Sequence, residues 1–69
     1  MTIYDFVRGL FNDAETFGPC EFMTEEEAAY NLEEYRKQDY EMPNGIEPWE
    51  LMLYWNYEVS LSIAHREDA

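Results

Sequence analysis

The sequence predicts a mainly α fold, a small single domain of about three helices, and three observations predict it. Two threonine-led helix starts and one well-placed proline divide the chain into three stretches. Apolar residues in the first two stretches recur at helical spacing. The 69 residues are 46% hydrophobic and 17% aromatic, enough for one packed core and unlike an acidic disordered tail. No repeat, low-complexity tract or linker divides residues 1–69.

The first helix begins at Thr2, which can cap it, with Asp5 three residues later in the position of a capping-box acid. Ile3, Phe6, Val7, Leu10 and Phe11 then fall on one apolar stripe. The stretch 12–19 ends this helix, with Gly18-Pro19 as the break.

Thr24-Glu25-Glu26-Glu27 is a capping box for the second helix, expected over about 25–38. Its three glutamates sit at the positive end of the helix dipole. Ala28, Leu32 and Tyr35 make a narrow inward stripe, while Glu26, Asn31, Glu33, Glu34 and Lys37 face away.

Met42-Pro43-Asn44-Gly45 reads as a turn, and Pro48 suits the first turn of a third helix. Between Leu51 and Ala64 the only charged residue is Glu58. Met52, Trp55, Val59 and Ile63 fit a helical stripe. Tyr57, Val59, Leu61 and Ile63 also alternate with Glu58, Ser60 and Ser62, as in a strand. A helix is expected to about residue 58, and residues 57–63 fit helix and strand alike. A strand there has only the short 20–23 run as a partner. The segment from Trp49 to Trp55 is apolar nearly all round, which suits a central helix or, failing that, a homodimer or partner interface. A monomer or weak homodimer is expected.

Charge narrows the function. Sixteen acids against four Lys and Arg give a net charge of -12, and residues 13–50 hold twelve acids against Arg36 and Lys37. No basic face exists to neutralise phosphates, which excludes direct nucleic-acid binding, or to meet anionic lipid. No run of ~18 apolar residues predicts a membrane span. The opening Met1-Thr2-Ile3-Tyr4-Asp5 lacks the pattern of a secretory leader. A single cysteine, Cys20, excludes an internal disulfide and fits a reducing compartment, so a cytoplasmic location is expected.

Residues for catalysis are scarce. Cys20 and His65 are the only thiol and imidazole, and no nucleophile signature surrounds Cys20. One of each cannot supply a structural zinc set. Asp13-x-Glu15-x-Phe17-Gly18 opens like a calcium loop, but Phe17 stands where an oxygen ligand belongs and Thr24 where the bidentate glutamate belongs. Paired carboxylates need a desolvating pocket, which a thin core does not predict, and no glycine-rich phosphate loop is present. The expectation is a protein that is not an enzyme, with no catalytic residue, cofactor or metal.

The acidic excess is the positive signal. A net charge of magnitude ~2–8 keeps a small domain soluble. A larger one costs stability through self-repulsion unless a cationic partner relieves it. Carboxylates one helical turn apart stand ~5–6 Å from each other, near the spacing of phosphates along a DNA strand. The candidate partner-binding residues are Glu25, Glu26, Glu33, Glu34, Asp39 and Glu41, followed by Glu21 and Glu47. Tyr30, Tyr35, Tyr40 and Tyr54 suit an interface or the core.

Length, the acidic stretch from Asp13 to Glu50 and the lack of catalytic machinery resemble the small acidic anti-CRISPR and antirestriction proteins of phages and mobile elements. The segment Gly18-Pro19-Cys20-Glu21-Phe22-Met23-Thr24 and the opening Met1-Thr2-Ile3-Tyr4-Asp5-Phe6 look similar to a small type I anti-CRISPR family, one acting on type I-C systems. The resemblance implies a DNA mimic. Such a protein binds the DNA-recruiting face of a Cascade-type effector in the host cytoplasm and blocks target DNA. It transfers no individual residue role. The rival expectation is an acidic interaction module, antitoxin-like or a regulatory adaptor, binding through its Trp49–Trp55 surface.

Overall fold

Thr2 and Thr24 both act as helix caps in the computed structural model, which describes residues 1–67. Helix α1 spans Ile3–Glu15, α2 spans Glu25–Lys37 and α3 spans Pro48–Glu67. At α1 the Thr2 hydroxyl accepts the Asp5 amide at 3.1 Å. At α2 the box closes in both directions: the Glu27 amide donates to Thr24 Oγ1 at 3.2 Å, and the Thr24 amide donates to Glu27 Oε1 at 3.3 Å. Reciprocal bonding satisfies donors that a helix start leaves orphaned.

Helix α1 runs about a turn beyond the apolar stripe that predicts it. Thr16 explains the extension, because its hydroxyl donates back to the Asn12 and Asp13 carbonyls and satisfies acceptors of the last turn. At its own end, α2 closes in a Schellman arrangement. The Tyr40 amide donates to the Tyr35 carbonyl at 2.9 Å and the Asp39 amide to the Arg36 carbonyl at 3.2 Å. The Tyr35 and Tyr40 rings, 5.1 Å apart, supply the apolar contact that accompanies this motif. Asp39 takes the left-handed conformation the motif requires, with φ 55°.

Residues 57–63 are helical throughout, which decides the part the sequence leaves open between helix and strand. The run 20–23 does lie against α3, but side chains take the place of a strand ladder. Asn56 accepts the Met23 amide at 2.7 Å and donates to the Met23 carbonyl at 3.0 Å. Trp55 Nε1 donates to the Glu21 carbonyl at 2.8 Å. The extended segment thus has its polar groups met by a helix, and needs no second strand.

Helix α3 is central. Both α1 and α2 pack against it, while their own backbones make no close approach to one another. They meet through side chains, with the Phe6 ring edge-on to Tyr35 at 6.0 Å and to Tyr40 at 6.1 Å. Contacts between Arg8 and Glu58 and between Glu15 and Ser62 rise together along both helices, so α1 runs parallel to α3. The core gathers Phe6, Val7 and Leu10 from α1, Ala28 and Leu32 from α2, and Leu51 from α3. Ile46 joins it from the α2–α3 connection, turned inward just after Gly45, whose φ of 73° favours glycine. Burial on α3 falls on Leu51, Glu58 and Val59, whereas Ile63 of the expected stripe is exposed. Met52 and Trp55 of the expected stripe pack against the core and Val59 is buried, while Leu51 and Glu58 widen the buried face, because α3 must serve two neighbours at once. No helix among the described residues is long and apolar enough to cross a membrane.

Candidate functional site

The predicted carboxylates divide by position along α2. Glu21, Glu25 and Glu26 lie at its N-terminal end, Asp39 and Glu41 beyond its C-terminal end, and all five are exposed. Glu33 and Glu34 stand between them, Glu33 exposed and Glu34 half-buried. Glu47 is exposed at the start of α3, and it shares a shallow cleft with Glu33 and Arg36 along the flank of α2.

Helical geometry sets which of these share a face. Glu26 and Glu33 are seven residues apart, which is two turns and about 10.5 Å along the axis, with Tyr30 between them. Tyr30 is 66% exposed, so the outward face of α2 reads carboxylate, phenol, carboxylate. The spacing of one turn that the phosphate comparison calls for is absent from this face. Asn31, expected to face away, is half-buried on the flank.

The cations of the middle segment modify the array. Arg36 pairs with Glu33 at 3.8 Å and Lys37 with Glu34 at 3.6 Å, both three residues apart on α2. Glu33 and Glu34 are thus the two predicted carboxylates with an ion partner among the described residues, and Glu21, Glu25, Glu26, Asp39, Glu41 and Glu47 have none. Exposed pairs of this kind hold the cations only weakly. Both cations belong to the last turn of α2, so its carboxylates are least compensated at the N-terminal end, where Glu25, Glu26 and Glu27 fill the first turn.

Among the described residues no three His, Cys, Asp or Glu side chains converge to hold a metal ion. Asp13 and Glu15 belong to α1, so their calcium-like spacing has no loop in which to act. The Cys20 thiol is pushed above the ordinary thiol range, first by burial and then by the Glu15 carboxylate, with Arg66 opposing. It is therefore held in the neutral form, the reverse of what an activated nucleophile requires.

A second surface, built by α1 and α3 without α2, is apolar. Tyr4 from α1 and Leu53, Tyr54 and Tyr57 from α3 line a groove of about 360 Å³, and all four are exposed. Trp49, 50% exposed, continues the stripe one turn earlier on α3. The segment from Trp49 to Trp55 is thus both the central helix and an outward apolar face, the two roles its all-round apolar character allows.

Sequence reasoning missed the group with the most unusual environment. Glu58 is only 6% exposed. Arg8 Nη1 stands 3.7 Å from its Oε2, an ion pair beyond hydrogen-bonding distance, and its Oε1 has no hydrogen-bond partner. The available signal was a lone charge in the apolar stretch 51–64, with Arg8 as a cation on α1. Comparison of the chain with protein-family models, curated proteins and solved structures finds no match.

Proposed function

We propose that this protein is a DNA-mimic inhibitor. It binds the cationic, DNA-recruiting surface of a bacterial defence complex, a type I CRISPR surveillance complex in the first instance, and excludes target DNA in the host cytoplasm. The observation that carries the reading is the unpaired, exposed set of carboxylates at both ends of α2, within a chain of net charge -12. Lysine and arginine channels that hold phosphates release counterions on binding, and an acidic surface exploits the same gain. Helix α2, capped at Thr24, holds Glu25 and Glu26 on an ordered backbone, which lowers the ordering cost of binding.

A pull-down from cells carrying CRISPR and restriction systems tests it, with elution by a salt gradient and by competing duplex DNA. The expected result is a DNA-binding effector that moderate salt and duplex both release. The variant to compare is Glu26→Lys with Glu41→Lys, one site at each end of α2, neither paired among the described residues. It should lose capture while keeping its helical content, and undiminished capture by the folded variant would sink the reading. Reversal of Glu33 and Glu34 is less clean, since it also sets new lysines against Arg36 and Lys37.

The groove of Tyr4, Leu53, Tyr54 and Tyr57 favours a second reading, an acidic interaction module that docks through its apolar face. That reading expects Leu53→Ala and Tyr57→Ala to weaken capture more than charge reversal, and elution to resist salt.

A further inference from the structure

Between α1 and α3, away from the acidic array of α2, lies a cleft of about 220 Å³ with Glu58 in its wall. A carboxylate that is 6% exposed and has an oxygen with no hydrogen-bond partner is costly to hold in place. Arg8 does not meet this need. It approaches the other oxygen at 3.7 Å, and it is also drawn aside to Tyr4, donating to the phenol oxygen at 3.4 Å with its guanidinium 5.8 Å from the ring centre.

We propose that this cleft is a subsite for an arginine side chain of the partner, with Glu58 as its buried counter-charge. The inference rests on the reading of a cationic partner and names the side chain that anchors it. Several features fit a guanidinium. Phe11 and Leu61 in the wall offer apolar surface to its methylene stem. The Asn12 amide and the Glu15 carboxylate, which accepts Ser62 Oγ at 3.2 Å, add acceptors beside Glu58. A guanidinium presents five donors in a planar fork and sheds water more readily than an ammonium, so it suits a partly buried carboxylate better than lysine does. Oε1 is closed off from solvent, so an incoming guanidinium engages it as the Glu58 side chain turns into the cleft, and the two cations then share the carboxylate.

The test uses the full chain and a small probe, so it needs no partner. Backbone amide shifts are followed by NMR during titration with N-ethylguanidinium chloride at constant ionic strength, with ethylammonium chloride in parallel. Saturable shifts at Asn12, Glu58 and Ser62 are expected, with the guanidinium the tighter ligand. Glu58→Gln should weaken it about tenfold, the scale of one charge-assisted contact. Shifts that rise without saturation, that persist in Glu58→Gln, or that fall instead on α2 overturn the proposal. Ser62→Lys is a second variant that leaves Glu58 in place and brings an ammonium to it from one turn away. It should abolish probe binding, and undiminished binding in that variant is equally fatal. Loss of the subsite leaves partner capture by the α2 carboxylates standing, whereas a partner that Glu26→Lys with Glu41→Lys still captures leaves the cleft result standing.

Discussion

Helices α2 and α3 invert each other. Helix α2 turns carboxylates to solvent and buries little more than Ala28 and Leu32, with Tyr35 half-covered. Helix α3 turns Trp49, Leu53, Tyr54 and Tyr57 to solvent and buries a carboxylate, Glu58. Of these two helices, only α2 is amphipathic in the ordinary sense. The difference follows from position: α2 has one neighbour to satisfy, whereas α3 lies between two helices and keeps a third face free. A chain this short has too little core to cover every apolar side chain, so the central helix carries both the fold and an exposed aromatic surface.

The sharpest way to break this comparison is to remove the buried leucine of each helix. Leu51 and Leu32 are both fully buried. Leu51→Ala opens a cavity against two neighbours and should cost about 3–4 kcal/mol, and Leu32→Ala about 2–3 kcal/mol. A chain of this size gains only ~3–5 kcal/mol from its core, so Leu51→Ala should be largely unfolded at 25 °C. Urea titration followed by circular dichroism measures both. A larger loss at Leu32 would show that α2, and not α3, organises the core.

The leucines were legible in advance only in part. Phe6, Val7, Leu10 and Phe11 were visible because α1 has one inward face and a strict helical period, and α2 was visible in its capping box. On α3 the period finds Met52, Trp55 and Val59 but misses Leu51 and overruns to Ile63. Two packing faces separated by an exposed aromatic face leave an almost uniform apolar sequence, and the burial of Leu51 over Ile63 is set by where α1 and α2 arrive. Ile46 and the Asn56 clamp on Met23 depend on tertiary placement of loops, and nothing local announces them. The acidic residues were easier to find than to arrange. Their exposure follows from charge, but the pairing of Glu33 and Glu34 with Arg36 and Lys37 depends on helix register.

Glu58 gives an effect of intermediate size and an unusual order. Arg8→Gln leaves the buried carboxylate without its ion partner and should destabilise by about 1–2 kcal/mol, although Arg8 itself is half-exposed. Glu58→Gln removes the buried charge and returns Arg8 to water, so it should cost less, or stabilise. Chemical denaturation of the two variants checks the order. The reverse order would mean that attraction between the pair outweighs the cost of burying the carboxylate.

The smallest effect separates stability from binding on the α2 side. Asp39 holds the left-handed position of the Schellman closure with φ 55°, a conformation in which an L side chain is strained and glycine is at ease. Asp39→Gly keeps both closing hydrogen bonds, which are made by backbone amides, and relieves that strain. Against this, glycine gains freedom in the unfolded chain, so the net gain should be about 0.5 kcal/mol, or ~2–4 °C in the thermal midpoint. The substitution also removes one unpaired carboxylate from the C-terminal end of the array and lowers self-repulsion. If the array serves a cationic partner, the variant should melt higher and be released from that partner at lower salt. A variant that melts higher yet elutes unchanged would take Asp39 out of the partner contact, leaving Glu41 and the N-terminal carboxylates to make it, and would show that the residue held under strain is there to close the helix.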